Sequence, residues 1–261
     1  MFETARYEAR RRLRGTAGLV AILSVYVGFM TGLYRAINIE AYGEIINAVP
    51  ASLREALGIV DLSVVEGWLA AEVYYFFWIW VLGIYFGYTA AGLITDDIEH
   101  DRLDLLLSFP FSRSRLLLEK FSVLFVPILA LNSVVPIVVY SVVSVIGASV
   151  DPIRLLMIHL LSIPFLLACA AIGIGLSVLV DRPTIAQRLA MAVVSGLFLF
   201  QSLVATTDFA WVGAISPKYY FDPAPILLEG TYDLGAVGVL LVATGVLLLA
   251  SQWQFKRRDI G

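Results

Sequence analysis

The chain of 261 residues is 60% hydrophobic and only 15% charged, where an average soluble domain runs to about 45–50% and 25%. With a mean hydropathy of +0.87, one packed core of this length leaves too little polar surface to hydrate, which excludes a water-soluble fold and requires lipid on the outside. The formal charge of −3 decides nothing until its distribution is known, and the lone Cys169, inside an apolar run, excludes an internal disulfide framework or a multi-cysteine zinc site.

At the N-terminus, Phe2, Ala5, Ala9 and Leu13 recur at helical spacing beside a basic stripe of Arg6, Arg10 and Arg14, which predicts a short amphipathic helix in the cytoplasmic interface. Six runs free of Asp, Glu, Lys and Arg then follow, each long enough for a bilayer that takes about 20 residues at 1.5 Å rise each. They place spans at about 15–35, 73–95, 112–140, 153–180, 188–207 and 234–255, in a single transmembrane domain over 1–261. Each must be helical, because lipid cannot hydrogen-bond a bare backbone and the runs lack the alternation of a barrel strand. Segment 35–72 carries six acidic and two basic residues and is predicted to lie outside with short surface helices. Pro127 and Pro136 are candidate kinks in the third span. Asp151 is a candidate cap for the fourth, with Pro152 at its first position. Segment 208–233 packs Phe209, Trp211, Tyr219, Tyr220, Phe221 and Tyr232 among Pro217, Pro223 and Pro225, a composition suited to a re-entrant-like cap dipping into the outer leaflet. No internal repeat is visible, which weighs against inverted-repeat transporters.

Fourteen of the 18 basic residues fall at the two termini and in the second-to-third and fourth-to-fifth connections, leaving Arg35, Arg54, Arg154 and Lys218 on the other side. Lys and Arg collect in segments retained in the cytoplasm, so both termini are expected there, in a multi-pass protein of the plasma membrane. A cleaved signal peptide fits less well, because the first apolar run is too long and no clear small-x-small site follows it.

The uncharged runs lack the intramembrane carboxylates and cations that pumps and ion-coupled carriers use. His159 has two readings, a proton relay or ligand, and a neutral imidazole bonded to a neighbouring helix; the second is preferred. Asp96, Asp97, Glu99, His100 and Asp101 are ligand-type residues, but only neighbours three or four apart share a helix face, so a solvated acidic loop is expected rather than a metal site. No catalytic motif is present, and no phosphate loop of the GxxxxGK[ST] type. Gly28-x-x-x-Gly32 and Gly83-x-x-x-Gly87 offer close helix contact, read as packing with a dimer seam as the alternative.

The specific stretch is the second-to-third connection, Asp96-Asp97-Ile98-Glu99-His100-Asp101-Arg102-Leu103-Asp104-Leu105-Leu106-Leu107-Ser108-Phe109-Pro110-Phe111-Ser112-Arg113-Ser114-Arg115-Leu116-Leu117-Leu118-Glu119-Lys120. It resembles the signature of ABC-2 type transporter permeases, in which a Glu, a Gly-Thr, a Leu-Leu-Leu-Ser-x-Pro run, a Ser-Arg and a Lys opening the third span recur. Asp101 and Arg102 stand where that signature has Gly-Thr. Ser216-Pro217, Tyr220-Phe221-Asp222-Pro223 and Phe255-x-Arg257-Arg258-Asp259-Ile260 are similar to the family's outer loop and C-terminal ending, so the resemblance covers nearly the whole chain.

The resemblance implies an all-α membrane subunit that has no catalytic, cofactor or metal site of its own. ATP and Mg would sit on a partner ATPase, with two copies of that ATPase and a second copy of this chain in the assembly. Membrane lipid is the other expected partner, and nucleic acid is not one. A cytoplasmic coupling helix would present Leu103, Leu106, Leu107 and Pro110 as an apolar knob, with Glu99, Arg102 and Arg113 as polar anchors. The expected activity is export of a lipid-like, hydrophobic or amphipathic substrate. The alternatives are a membrane scaffold or assembly factor, and a secondary carrier.

Overall fold

The structure is a computed structural model describing residues 3–37, 39–50, 54, 58–59, 61–100 and 112–257. Among them every regular element is helical. Six helices are long and apolar enough to cross a membrane: Leu13–Ala36, Val65–Glu99, Arg113–Val145, Pro152–Ser177, Pro183–Val204 and Leu234–Arg257, the first to sixth spans below. An even number of crossings brings both termini to one end, called here the basic end; the other is the distal end.

The spans are not equivalent. The fourth and second are buried along 72% and 61% of their most apolar stretch, the first, fifth and sixth along 28% or less. The fourth and second therefore form the interior, and the others present apolar side chains such as Ile22, Val25, Leu203, Val242 and Leu249 outward. Lipid supplies no hydrophobic drive between helices, so contact rests on small residues that let backbones approach. A Cβ at Gly173 would lie 2.1 Å from the Gly87 carbonyl oxygen, and one at Gly83 would lie 3.3 Å from the Phe165 ring. Gly28 and Gly32 face Val138 and Val142 of the third span. Both glycine motifs thus serve packing inside this chain, and Gly173, outside either motif, makes the tightest backbone approach between the two interior spans.

Four local features differ from the sequence reading or sharpen it. The basic N-terminal stretch is not a separate interfacial helix: one helix runs from Glu3 to Ala36 without a break. At about 50 Å it exceeds a hydrocarbon core of about 30 Å, so its basic first turns stand clear of the apolar zone. The second span's helix begins at Val65, so Glu66 and Glu72 lie in its first turns, and Tyr42 from the short helix Ile39–Asn47 donates to Glu72 Oε1 at 3.1 Å. Trp68 Nε1 to the Met30 carbonyl and Tyr34 hydroxyl to the Ser63 carbonyl tie the same turns to the first span.

The third span is interrupted between Ser122 and Phe125. Pro127 has no N–H for the Val123 carbonyl, which instead accepts from Val126 in a tighter turn. The helix continues through Pro136. Asp151 caps the fourth span, its carboxylate accepting from the Ile153 and Arg154 amides with Pro152 at the first position. At the distal end, residues between the fifth and sixth spans form short turns of helix, Ala210–Ile215, Pro217–Tyr220 and Pro225–Glu229.

Candidate coupling site and the polar groups around it

The sequence-predicted coupling residues divide into two sets. Arg102, Leu103, Leu106, Leu107 and Pro110 lie outside the described residues. Glu99 is exposed on the last turn of the second span, and Arg113 opens the third. The structure therefore describes the two anchors of the connection.

The helix ends that carry these two anchors are tied inward. Asp97 and Lys120 are buried, 6% and 3% exposed, and form an ion pair joining the end of the second span to the start of the third. Of the acidic stretch expected as a solvated loop, Asp96, Asp97 and Glu99 belong to the last helical turn of a span, with Asp97 turned into the bundle, and Asp101 lies outside the described residues. His100 Nδ1 bonds the Asp96 carbonyl at 2.8 Å. Among the described residues no three His, Cys, Asp or Glu side chains converge as a metal site would require. Ser177 Oγ of the fourth span accepts the Ile94 and Thr95 amides at 3.0 and 3.2 Å, which pins the second span one turn above Asp97.

On the other side, Ser112 caps the helix by accepting from the Arg115 amide, and Arg115 Nε meets the buried Glu119 at 2.8 Å. Arg113 donates to the Phe255 carbonyl at 3.3 Å and lies over its ring, joining the anchor to the end of the sixth span. The flanks of the connection are therefore joined to one another and to the fourth and sixth spans through named contacts.

Deeper in the bundle, His159 is fully buried in a network across the second, third and fourth spans. Its Nε2 lies 3.0 Å from the Tyr74 hydroxyl and its Nδ1 lies 3.2 Å from Asn132 Oδ1. The amide oxygen can only accept, so Nδ1 carries the proton and Nε2 accepts from Tyr74. Ser162 Oγ donates to Asn132 Oδ1 and accepts from Trp78 Nε1, both at 2.9 Å, while Asn132 Nδ2 donates to the Ile128 carbonyl at 2.8 Å. Every member is satisfied, and His159, Tyr74 and Ser162 are all at 0% exposure. A proton relay needs a member open to solvent, and these three are closed to it; the bonds to the second and third spans fit the preferred reading of an imidazole bonded to neighbouring helices. The sequence reading missed Asn132, Ser162, Tyr74 and Trp78, although Asn132 is the single amide side chain in its apolar run.

At the distal end, Arg154 Nη1 donates to the Leu227 and Leu228 carbonyls at 3.0 and 2.6 Å, closing the turn Pro225–Glu229, which ends at Gly230 with φ +72°. Lys218 is buried beneath this cap, its ammonium bonded to Ser202 Oγ and seated over the rings of Tyr75 and Phe198 at 4.5 and 4.2 Å. Burial pulls the Lys218 pKa from its ordinary 10.5 down to about 7, against the nearby Asp222, which raises it.

A family model for ABC-2 family transporter proteins matches residues 5–260, from the basic N-terminal turns through the C-terminal ending. The chain belongs to the ABC-2 transporter family. Comparison with curated proteins gives no match. As an ABC-2 permease it is a membrane transport protein, of a family that generally works with an ATP-hydrolysing partner rather than catalysing a reaction itself. The stretch of this permease that carries its most specific residues, 96–120, contains both members of the Asp97 to Lys120 pair and the Arg113 that bonds Phe255.

Proposed function

We propose that this chain is the membrane-spanning subunit of an ATP-driven exporter in the plasma membrane, with both termini cytoplasmic, in which two copies form the pathway and two separate ATPase chains dock on the 99–113 connection. The observation that carries this reading is the anchoring of that connection, whose two flanks are bound into the bundle by a buried ion pair and by the Arg113 contact. Such a frame converts a push on the connection into movement of the second and third spans relative to the fourth and sixth, the kind of rigid shift by which packed helices change which side is open. ATP and Mg belong to the partner chains, and this chain contributes the lever. Spans free of intramembrane cations and carboxylates over most of their length favour a lipid-like, hydrophobic or amphipathic cargo over a small ion.

Changing Leu106 and Leu107 together to Asp tests the docking step. Two carboxylates in a desolvated groove cost several kcal/mol unless partnered, so ATPase binding and transport-linked hydrolysis are expected to fall sharply while membrane insertion is kept. Normal ATPase binding and transport by a correctly inserted double variant would remove the coupling role from 99–113.

A further inference from the structure

Two cavities lie side by side at the distal end. One, of about 390 Å³, is lined by Arg54, Tyr75, Gln201, Lys218 and Asp222. The other, of about 710 Å³, runs between the fourth and sixth spans with Leu161, Ile226, Ala236, Val237 and Val239 on its walls. Tyr219, Phe221 and Asp222 line both and form the partition.

We propose that the smaller cavity binds the headgroup of an amphiphile that carries an anionic group together with hydrogen-bond donors, such as a phosphoglycerol headgroup, and that the larger cavity takes its tail. Arg54 and Lys218 set two cations against the single carboxylate of Asp222, so the cavity favours an anion. The Lys218 ammonium is held away from water beside the Ser202 hydroxyl and over the rings of Tyr75 and Phe198, and an anion next to it offsets that desolvation. Gln201 Oε1 is closed to solvent and accepts no hydrogen bond from the described residues. A buried carbonyl without a donor is costly, and a ligand hydroxyl satisfies it. The Asp222 carboxylate accepts from the Ala224 amide through Oδ1 and has capacity for a further donor. A phosphocholine headgroup fits poorly, because it brings no donor to Gln201 or Asp222 and adds a cation next to Lys218 and Arg54. The neighbouring cavity, whose wall beyond the shared partition is mainly apolar, with Leu161, Ile226, Val237 and Val239 beside Tyr220 and Tyr232 and with Thr231 and Asp233 as its polar members, is what distinguishes an amphiphile site from one for a small soluble anion.

That the bound amphiphile is cargo rests on the export reading above; that it binds does not. The test therefore uses the purified full chain in an uncharged detergent, without any ATPase, and measures binding by native mass spectrometry and thermal shift. The probes are dihexanoyl phosphatidylglycerol, dihexanoyl phosphatidylcholine and glycerol 3-phosphate, each below micelle-forming concentration. Phosphatidylglycerol is expected to bind about tenfold more tightly than either of the others. Lys218→Met and Gln201→Leu should each weaken phosphatidylglycerol binding by about fivefold or more and leave phosphatidylcholine binding unchanged, while Lys218→Arg restores part of the loss.

Equal binding of the two lipids, or wild-type binding by both folded variants, overturns the headgroup site. Equal binding of glycerol 3-phosphate and phosphatidylglycerol overturns the assignment of the tail. Lys218→Met removes a buried charge and is expected to fold; should it not, Gln201→Leu and Arg54→Gln read the same cavity. None of these outcomes bears on docking of the ATPase, and a failure of the Leu106 and Leu107 test leaves the cavity standing.

Discussion

At the residue scale, the polar groups inside this permease fall into two kinds. The network of Tyr74, His159, Asn132, Ser162 and Trp78 is neutral and closed on itself, which suits a fixed joint among three spans. The Asp97 to Lys120 pair is charged and buried at the basic end. Removing one member of a buried pair strands the other charge, at a cost of about 3–5 kcal/mol, whereas replacing both by apolar residues of similar volume is often near neutral. Asp97→Asn is therefore expected to lower unfolding stability in detergent by that order, and Asp97→Leu with Lys120→Met to recover most of it. If the double variant is stable but ATPase stimulation is lost, the pair serves the lever as well as the fold. Equal stability of Asp97→Asn and wild type would show that the pair is screened by water.

At the scale of elements, the interior spans meet where side chains are absent. Gly173 has no room for a methyl group because the facing atom is the backbone oxygen of Gly87, and backbone cannot rotate away as a side chain can. Gly173→Ala must separate the second and fourth spans and is expected to cost about 1–3 kcal/mol. Gly28→Ala is the matched control: its new methyl group would sit 3.6 Å from Val138, an ordinary contact, and Ala favours a helix interior by about 1 kcal/mol over Gly. Thermal unfolding of the two variants should move in opposite directions. A similar melting temperature for both would remove the close approach from the account of the fold.

At the scale of the whole molecule, the two ends differ in charge. The basic end carries the termini and the connection between the second and third spans, while the distal end carries the short helical turns, the cavities and Lys218. With cytoplasmic termini, a cysteine at Thr206, exposed at the distal end, should react with a membrane-impermeant thiol reagent in intact cells, and one at Glu99 should react only after permeabilisation. The reverse pattern would invert the direction of the lever.

Lys218 gives the distal end a pH signature. Its folded-state pKa of about 7 lies below the ordinary 10.5, so across that window the unfolded chain holds a proton that the folded chain does not. Stability should therefore rise with pH between about 7 and 10, and the rise should flatten in Lys218→Met. Arg54 and Asp222 line the same cavity. An unchanged slope in the variant would mean that the ammonium is hydrated in the folded protein.

Much of this was open to reading from the sequence alone. Apolar run length determined six helical spans, because a lipid-exposed backbone has no other way to bond itself, and the Leu-rich connection with its Pro110 and Lys120 identified the family. The Asp151 cap was legible because capping is local. What needed the tertiary structure were the relations between runs of equal hydropathy. Nothing in a list of apolar residues tells which span lies inside, since lipid and protein interior are equally apolar; the contact of Gly173 with Gly87 decided it. The start of the second span at Val65 was hidden because Glu66 and Glu72 end an uncharged run while Tyr42 and the first span give that turn its partners. The Asp97 to Lys120 pair, the His159 network and the cavity around Lys218 each join residues far apart in the chain, and only folding brings their charges and donors within bonding distance.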